Sequence, residues 1–156
     1  MSNQISSWDR FFLENAHLQA SKSKDPSTKV GCVVVDDDNV IKSSGFNGFP
    51  RGIDETDPKR WERPLKYKMI VHSELNSIFN AARVGVSLKG CRLYLNWAGS
   101  PCEECAKGII QAGIKEIITT DIPFPGKGNG INYSTEIGFQ LLQEAGILIK
   151  EIPTNR

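Results

Sequence analysis

The sequence predicts an α/β chain: a three-layer α/β/α domain on a mixed five-stranded sheet, with the element order αββαβαβαβ. Three observations predict it. After one helix, two β-type runs are joined by an acidic turn, the pattern of an antiparallel hairpin. From residue 71 onward helix-periodic and strand-like runs alternate, as crossover connections between strands require. Gly85, Gly113 and Gly146 stop the three helices of that alternating series. At 156 residues, 1–156 reads as one domain, long enough to bury a core.

Ser6 or Ser7 can cap the first helix, whose apolar stripe is Trp8, Phe12 and Ala16 with Leu13 and Ala20 at its margin; Asp25-Pro26 ends it. His17, at the edge of that stripe, reads as a partly exposed helix residue rather than a second metal site. Lys29 to Asp36 is a strand carrying Val30, Val33, Val34 and Val35. Asp36-Asp37-Asp38-Asn39 is a solvated turn, and Val40 to Phe46 returns as the second strand. Gly45-Phe46-Asn47-Gly48-Phe49-Pro50-Arg51-Gly52 forces an irregular backbone at the strand's end, where loops tend to carry function. Asp54 to Lys68 is polar and of mixed charge, an insertion over the surface that serves as part of a lid or as an oligomer contact.

A helix runs from about Val71 to Arg83 with Leu75, Ile78, Phe79 and Ala82 on one face, and Arg92 to Trp97 is the next strand. The helix behind Cys102 carries Ala106, Ile109 and Ile110. Lys115 to Thr120 is a strand, Ser134 to Ala145 a helix capped by Ser134, and Ile147 to Ile152 the last strand. Pro123 to Gly130 is either a flexible connection or a flap over the site.

The 39% hydrophobic and 24% charged fractions are those of a globular chain, which excludes a disordered or membrane-embedded one. With 19 basic and 18 acidic residues the net charge is +1, too small a field to draw the protein onto nucleic acid. Met1-Ser2-Asn3-Gln4 opens no basic-then-apolar leader, and no segment has the length to span a bilayer. A cytoplasmic protein without a membrane partner is expected. Cys32 and Cys91 sit in apolar runs and read as small buried thiols.

The chemistry is carried by two short stretches, His72-Ser73-Glu74 and Pro101-Cys102-Glu103-Glu104-Cys105-Ala106. Alone, C-x-x-C fits a redox pair and a single histidine fits a surface residue. Together they spell H-x-E and P-C-x-x-C, the signature of zinc deaminases. A catalytic zinc uses three protein ligands and keeps the fourth corner for water, and His72, Cys102 and Cys105 make three. Glu74 is then left as the proton carrier. Both stretches fall at helix starts, where the positive end of the helix favours thiolates. One zinc per subunit is expected.

On these residues the chain resembles the cytidine deaminase superfamily and, within it, the deoxycytidylate (dCMP) deaminase family. The resemblance extends to Asp25-Pro26-Ser27-Thr28-Lys29-Val30-Gly31, the Gly45 to Gly52 loop, His72-Ser73-Glu74-Leu75-Asn76 and Gly108-Ile109-Ile110-Gln111-Ala112-Gly113-Ile114. It implies conversion of dCMP and water to dUMP and ammonia, a homo-oligomer from dimer to hexamer, and dCTP and dTTP as allosteric effectors. It also implies substrate-binding roles for Asn47 at the deoxyribose, for the Ser73 backbone N–H, and for Arg83 at the 5′-phosphate; the other readings are that Arg83 complements the negative end of its own helix and that a lysine or arginine between Arg51 and Lys68 takes the phosphate. Ser73 stands where alanine is commoner, and Trp97-Ala98-Gly99-Ser100 departs from the usual approach to Pro101-Cys102. Trp97 and Tyr133 are candidates to pack on the base or, equally, residues of simple core or surface packing. Other cytosine nucleosides or modified cytidylates would keep the chemistry and change the pocket; a nucleic-acid editor would need a basic stripe, and a non-catalytic zinc module would not need Glu74.

Overall fold

The computed structural model describes residues 6–125 and 133–154, the side chain of Tyr133 excepted. Its elements are α1 (Ser7–Ala20), β1 (Gly31–Val35), β2 (Ile41–Phe46), a 3-10 turn (Pro58–Trp61), α2 (Leu65–Met69), α3 (Ser73–Val84), β3 (Arg92–Leu95), α4 (Glu103–Ala112), β4 (Glu116–Thr120), α5 (Tyr133–Glu144) and β5 (Leu148–Ile152). The expected order αββαβαβαβ holds, with the 3-10 turn and α2 added inside the mixed-charge segment.

The sheet runs β2-β1-β3-β4-β5. β1 is antiparallel to both β2 and β3, while β3, β4 and β5 are parallel. β1 is buried along its whole length, and its side chains alternate between the two faces. Val33 and Val35 join Phe12, Leu13, Ala16 and Tyr94 beneath α1. Cys32 and Val34 join Leu93, Ile109, Ile117 and Leu142 on the other face, under α3, α4 and α5. This is the three-layer arrangement that a strand apolar on both sides demands.

Ser6 caps α1 by accepting from Trp8 N at 3.2 Å. Phe12, Leu13, Ala16 and Ala20 of the expected stripe are buried, but Trp8 is 48% exposed and Asp9 is buried beside them. The reason is polar. The hydroxyl of the fully buried Tyr94 donates to Asp9 Oδ1 at 2.7 Å, and Lys150 lies 3.2 Å from Oδ2, so the acid satisfies a hydroxyl that would otherwise be stranded in the core. α1 ends at Ala20, before Asp25-Pro26. His17 is exposed on α1, as expected.

Two glycines set where the site elements dock. A Cβ on Gly45 would lie 2.6 Å from both Ser73 O and Ser77 N, so only glycine lets the first turn of α3 rest on β2. A Cβ on Gly138 would lie 2.1 Å from Pro101 O, so α5 seats directly on the Pro101–Cys102 peptide. Among the described residues no helix is long and apolar enough to cross a membrane.

Candidate active site

The site lies at the carboxyl ends of the parallel strands, where open α/β sheets place ligands. Because β1 runs antiparallel to β3, its first residues reach the same edge: Gly31 N donates to Asn96 Oδ1 at 2.9 Å, just beyond the end of β3. His72 is the N-cap of α3 and Cys102 the N-cap of α4, so both motif halves open helices. Cys105 lies on the first turn of α4, fully buried.

His72 Nδ1 is 3.4 Å from Cys102 Sγ and 3.4 Å from Cys105 Sγ, and all three ligand atoms lie within 4.8 Å of one another. Zinc bonds of normal length at tetrahedral angles place nitrogen and sulfur about 3.5 Å apart. The residues therefore fit the metal. They form the only such cluster of histidine, cysteine and acidic groups among the described residues, in accord with one zinc per subunit.

The two thiols differ. The hydrogen bond from Cys105 holds Cys102 down at about 4, with burial opposing it and His72 adding to it. The same hydrogen bond to Cys102, together with burial, pushes Cys105 up. Metal binding takes both sulfurs as thiolates, so it releases protons. Cys32 is different again: burial, then the Glu74 charge, pushes it up to about 12, so it stays a thiol and donates to Ser73 O at 3.1 Å. Cys91 is likewise a buried free thiol.

Glu74 is 5% exposed and accepts from Ser73 Oγ at 2.7 Å through Oε1. It lines a cavity of about 210 Å³ together with His72, Cys102, Asn47, Trp97 and Phe124. Trp97 donates from Nε1 to Lys29 O at 2.8 Å, and its ring meets Phe124 edge-on at 6.1 Å. The apolar wall is thus an aromatic pair. Phe124 comes from the stretch expected to be a connection or a flap; 126–130 of that stretch, and the Tyr133 side chain, lie outside the described residues.

Asn47 lines the cavity, but its amide is largely committed. Oδ1 accepts from Val30 N at 2.8 Å, while Nδ2 donates to Thr28 O at 2.9 Å and Asp25 Oδ2 at 3.1 Å. One acceptor lone pair remains for a ligand. Ser73 N belongs to the first turn of α3, whose amides have no intrahelical acceptor. Arg83 is the one candidate the structure leaves apart: it is exposed in the last turn of α3 and does not line the cavity. Eleven residues of helix carry it about 16 Å from His72. As a cation in the last turn it complements the negative end of its own helix.

The mixed-charge segment, expected to be part of a lid or an oligomer contact, lines the cavity. Lys66 on α2 is buried against Asp25, 2.7 Å from Oδ2, and donates to Ser27 Oγ at 2.9 Å. Both residues line the cavity, as does Arg63, whose Nε donates to Tyr67 OH at 2.6 Å. The segment is therefore a wall of the site, secured further by Trp61 stacked on Phe49 at 4.1 Å. In sequence only the Lys66 and Ile70 spacing, one helical turn, hinted at an inward face. Burial pushes the Asp25 carboxyl up, but Lys66 and the Ser27 and Thr28 amides outweigh it and hold it below its ordinary value of 3.8. A carboxylate with a depressed folded value contributes stability above its unfolded pKa and loses it as pH falls through the folded one. Lys66→Met strands this carboxylate. It should cost about 3 kcal/mol at pH 7 in urea unfolding, as breaking a buried pair does, and Asp25→Asn in the same chain should recover part of the loss. An unchanged midpoint would show that the pair contributes nothing.

Comparison with known proteins agrees with this geometry. Residues 6–120 match the model of the cytidine and deoxycytidylate deaminase zinc-binding region. The chain is 43% identical to human deoxycytidylate deaminase over 117 residues, covering 71% of this chain and 63% of that protein, and 44% identical to the mouse enzyme over the same length and shares. It thus spans less than two thirds of those relatives' length. A dCMP deaminase from the cyanophage S-TIM5, solved with dCMP and dUMP, superposes with a TM-score of 0.69 at 26% identity, covering 97% of this chain and 99% of that one. A zinc-ligand triad at two helix starts, a buried glutamate beside it and these likenesses together place the chain in the cytidine and deoxycytidylate deaminase family.

Proposed function

We propose that the protein hydrolytically deaminates dCMP to dUMP and ammonia. The observation that carries the reading is the buried Glu74 carboxylate, in the same cavity as His72 and Cys102 and not needed to complete the ligand set. Bound by His72, Cys102 and Cys105, zinc supplies a Lewis acid that makes water nucleophilic near neutral pH. The chain's own groups do the rest. Glu74 accepts a proton from the attacking water, delivers it to ring N3, and then passes a second proton from the new C4 hydroxyl to the departing amino group. Cytosine and water become uracil and ammonia, and Glu74 ends as it began. Trp97 and Phe124 offer the base an apolar wall, Ser73 N–H a donor, and the remaining lone pair of Asn47 an acceptor for a sugar hydroxyl.

A nucleotide also needs a cation for its phosphate. Of the two cations lining the cavity, Lys66 is neutralised by Asp25, whereas Arg63 stands at the rim with no carboxylate paired to it among the described residues. The phosphate is therefore assigned to Arg63, with Arg83, expected from the sequence, as the second arm of the test. Ammonia release is to be measured on dCMP, deoxycytidine, cytidine and other cytidylates. dCMP should be the preferred substrate, and Arg63→Ala should lower its kcat/KM by about tenfold while sparing deoxycytidine. A tenfold loss in Arg83→Ala instead would return the phosphate to that residue, and equal activity on all substrates would reject a nucleotide enzyme.

The same reading includes a cytoplasmic homo-oligomer, dimer to hexamer, controlled by dCTP and dTTP. Exposed Ile41 and Phe46 on the edge strand β2 and Phe79 and Val84 on α3 support a self-association surface. Sizing the protein with and without each triphosphate tests it.

A further inference from the structure

We infer that Ser73 is a positioning residue for the reaction: its hydroxyl holds the Glu74 carboxylate in the orientation needed for proton transfer. The inference rests on Glu74 being the proton carrier. Neighbouring residues on a helix do not normally face one another, since each is turned by about 100° from the last. Yet Ser73 Oγ donates to Glu74 Oε1 at 2.7 Å, so the glutamate side chain must fold back over the start of α3, toward the end where His72 sits. Oε1 is thereby fixed on the Ser73 hydroxyl, while the carboxylate also meets the Cys105 thiol, the sulfur that the metal would take.

Ser73 can act as an anchor because it is enclosed and held through its backbone. It is fully buried, and its carbonyl lies against the Gly45 backbone and accepts from Cys32 Sγ at 3.1 Å. The following turn is tied down as well, with Ser77 Oγ donating to Glu74 O at 2.7 Å. A glutamate alone has three side-chain torsions to order, and an alanine at position 73 would leave that ordering to the substrate and the metal site. In this chain the hydroxyl does it before substrate arrives.

The test is a double-mutant cycle with Ser73→Ala and Glu74→Gln, reading kcat and KM on dCMP, zinc per chain and the thermal midpoint. Ser73→Ala should lower kcat about fivefold to tenfold, leave KM within about twofold and keep one zinc per chain. In the Glu74→Gln background, adding Ser73→Ala should cost nothing further, because the group it positions has lost its function. Wild-type kcat in Ser73→Ala, with Glu74→Gln inactive, would overturn the inference alone. An active Glu74→Gln would overturn the assignment of Glu74 itself. Additive losses in the double variant, or loss of zinc in Ser73→Ala, would make Ser73 a structural residue.

Discussion

Glu74→Gln is expected to abolish most turnover while keeping the fold and the zinc. Glutamine has nearly the shape of glutamate and can still accept from Ser73 Oγ through its carbonyl oxygen, so the buried contact at 2.7 Å survives. What it cannot do is take and return a proton. General acid–base groups contribute about 10² to 10⁴ in rate, and here one group serves both proton transfers, so a loss of about 10³-fold in kcat is expected, some 4 kcal/mol. Metal analysis and the thermal midpoint should match wild type. A variant with near-normal rate would remove Glu74 from the mechanism.

Cys105→Ala is expected to fail one step earlier, at metal binding. Cys105 and Cys102 meet the same His72 nitrogen, each at 3.4 Å, and taking one sulfur away leaves two protein ligands. Zinc binding in small sites is worth about 10 to 16 kcal/mol over four ligands, about 3 kcal/mol for each, so affinity should fall by more than about 10²-fold. The side chain is fully buried, so a smaller residue also leaves a gap at the first turn of α4. Cys105→Ser separates the two effects by keeping the volume while giving a poorer ligand. Both variants should lose zinc to a competing chelator at concentrations that leave the wild type loaded, with activity falling in step. Full occupancy in both would mean that the ligand set is wrong.

The metal site was legible in the sequence because its spacing is local. Cys102 and Cys105 lie one helical turn apart, Glu74 lies two residues from His72, and the apolar runs behind both stretches announce the helices that aim them. The hairpin and the alternating elements were legible for the same reason. The α1 stripe holds except at its start, where Trp8 looked apolar and Asp9 polar, while the buried Tyr94 hydroxyl that draws Asp9 inward lies on a strand 85 residues away.

The walls of the cavity followed no local rule. Lys66 reads as one more charge in a surface run until Asp25, some forty residues earlier, is found at 2.7 Å. Phe124 reads as part of a loose proline-glycine stretch until it meets Trp97. Arg83 already falls at the end of its helix in the sequence, and the structure adds that the cavity is lined without it. Gly45 reads as a loop residue and Gly138 as one more position in a helix, though what requires them is the backbone of α3 and of the Pro101–Cys102 peptide pressed against them. The sequence by itself determined the element order, the zinc ligands and the glutamate beside them, since periodicity and short spacing act within a few residues. Only the tertiary structure decided which charges and aromatic rings enclose that chemistry, because burial and ion pairing join groups that chain order keeps far apart.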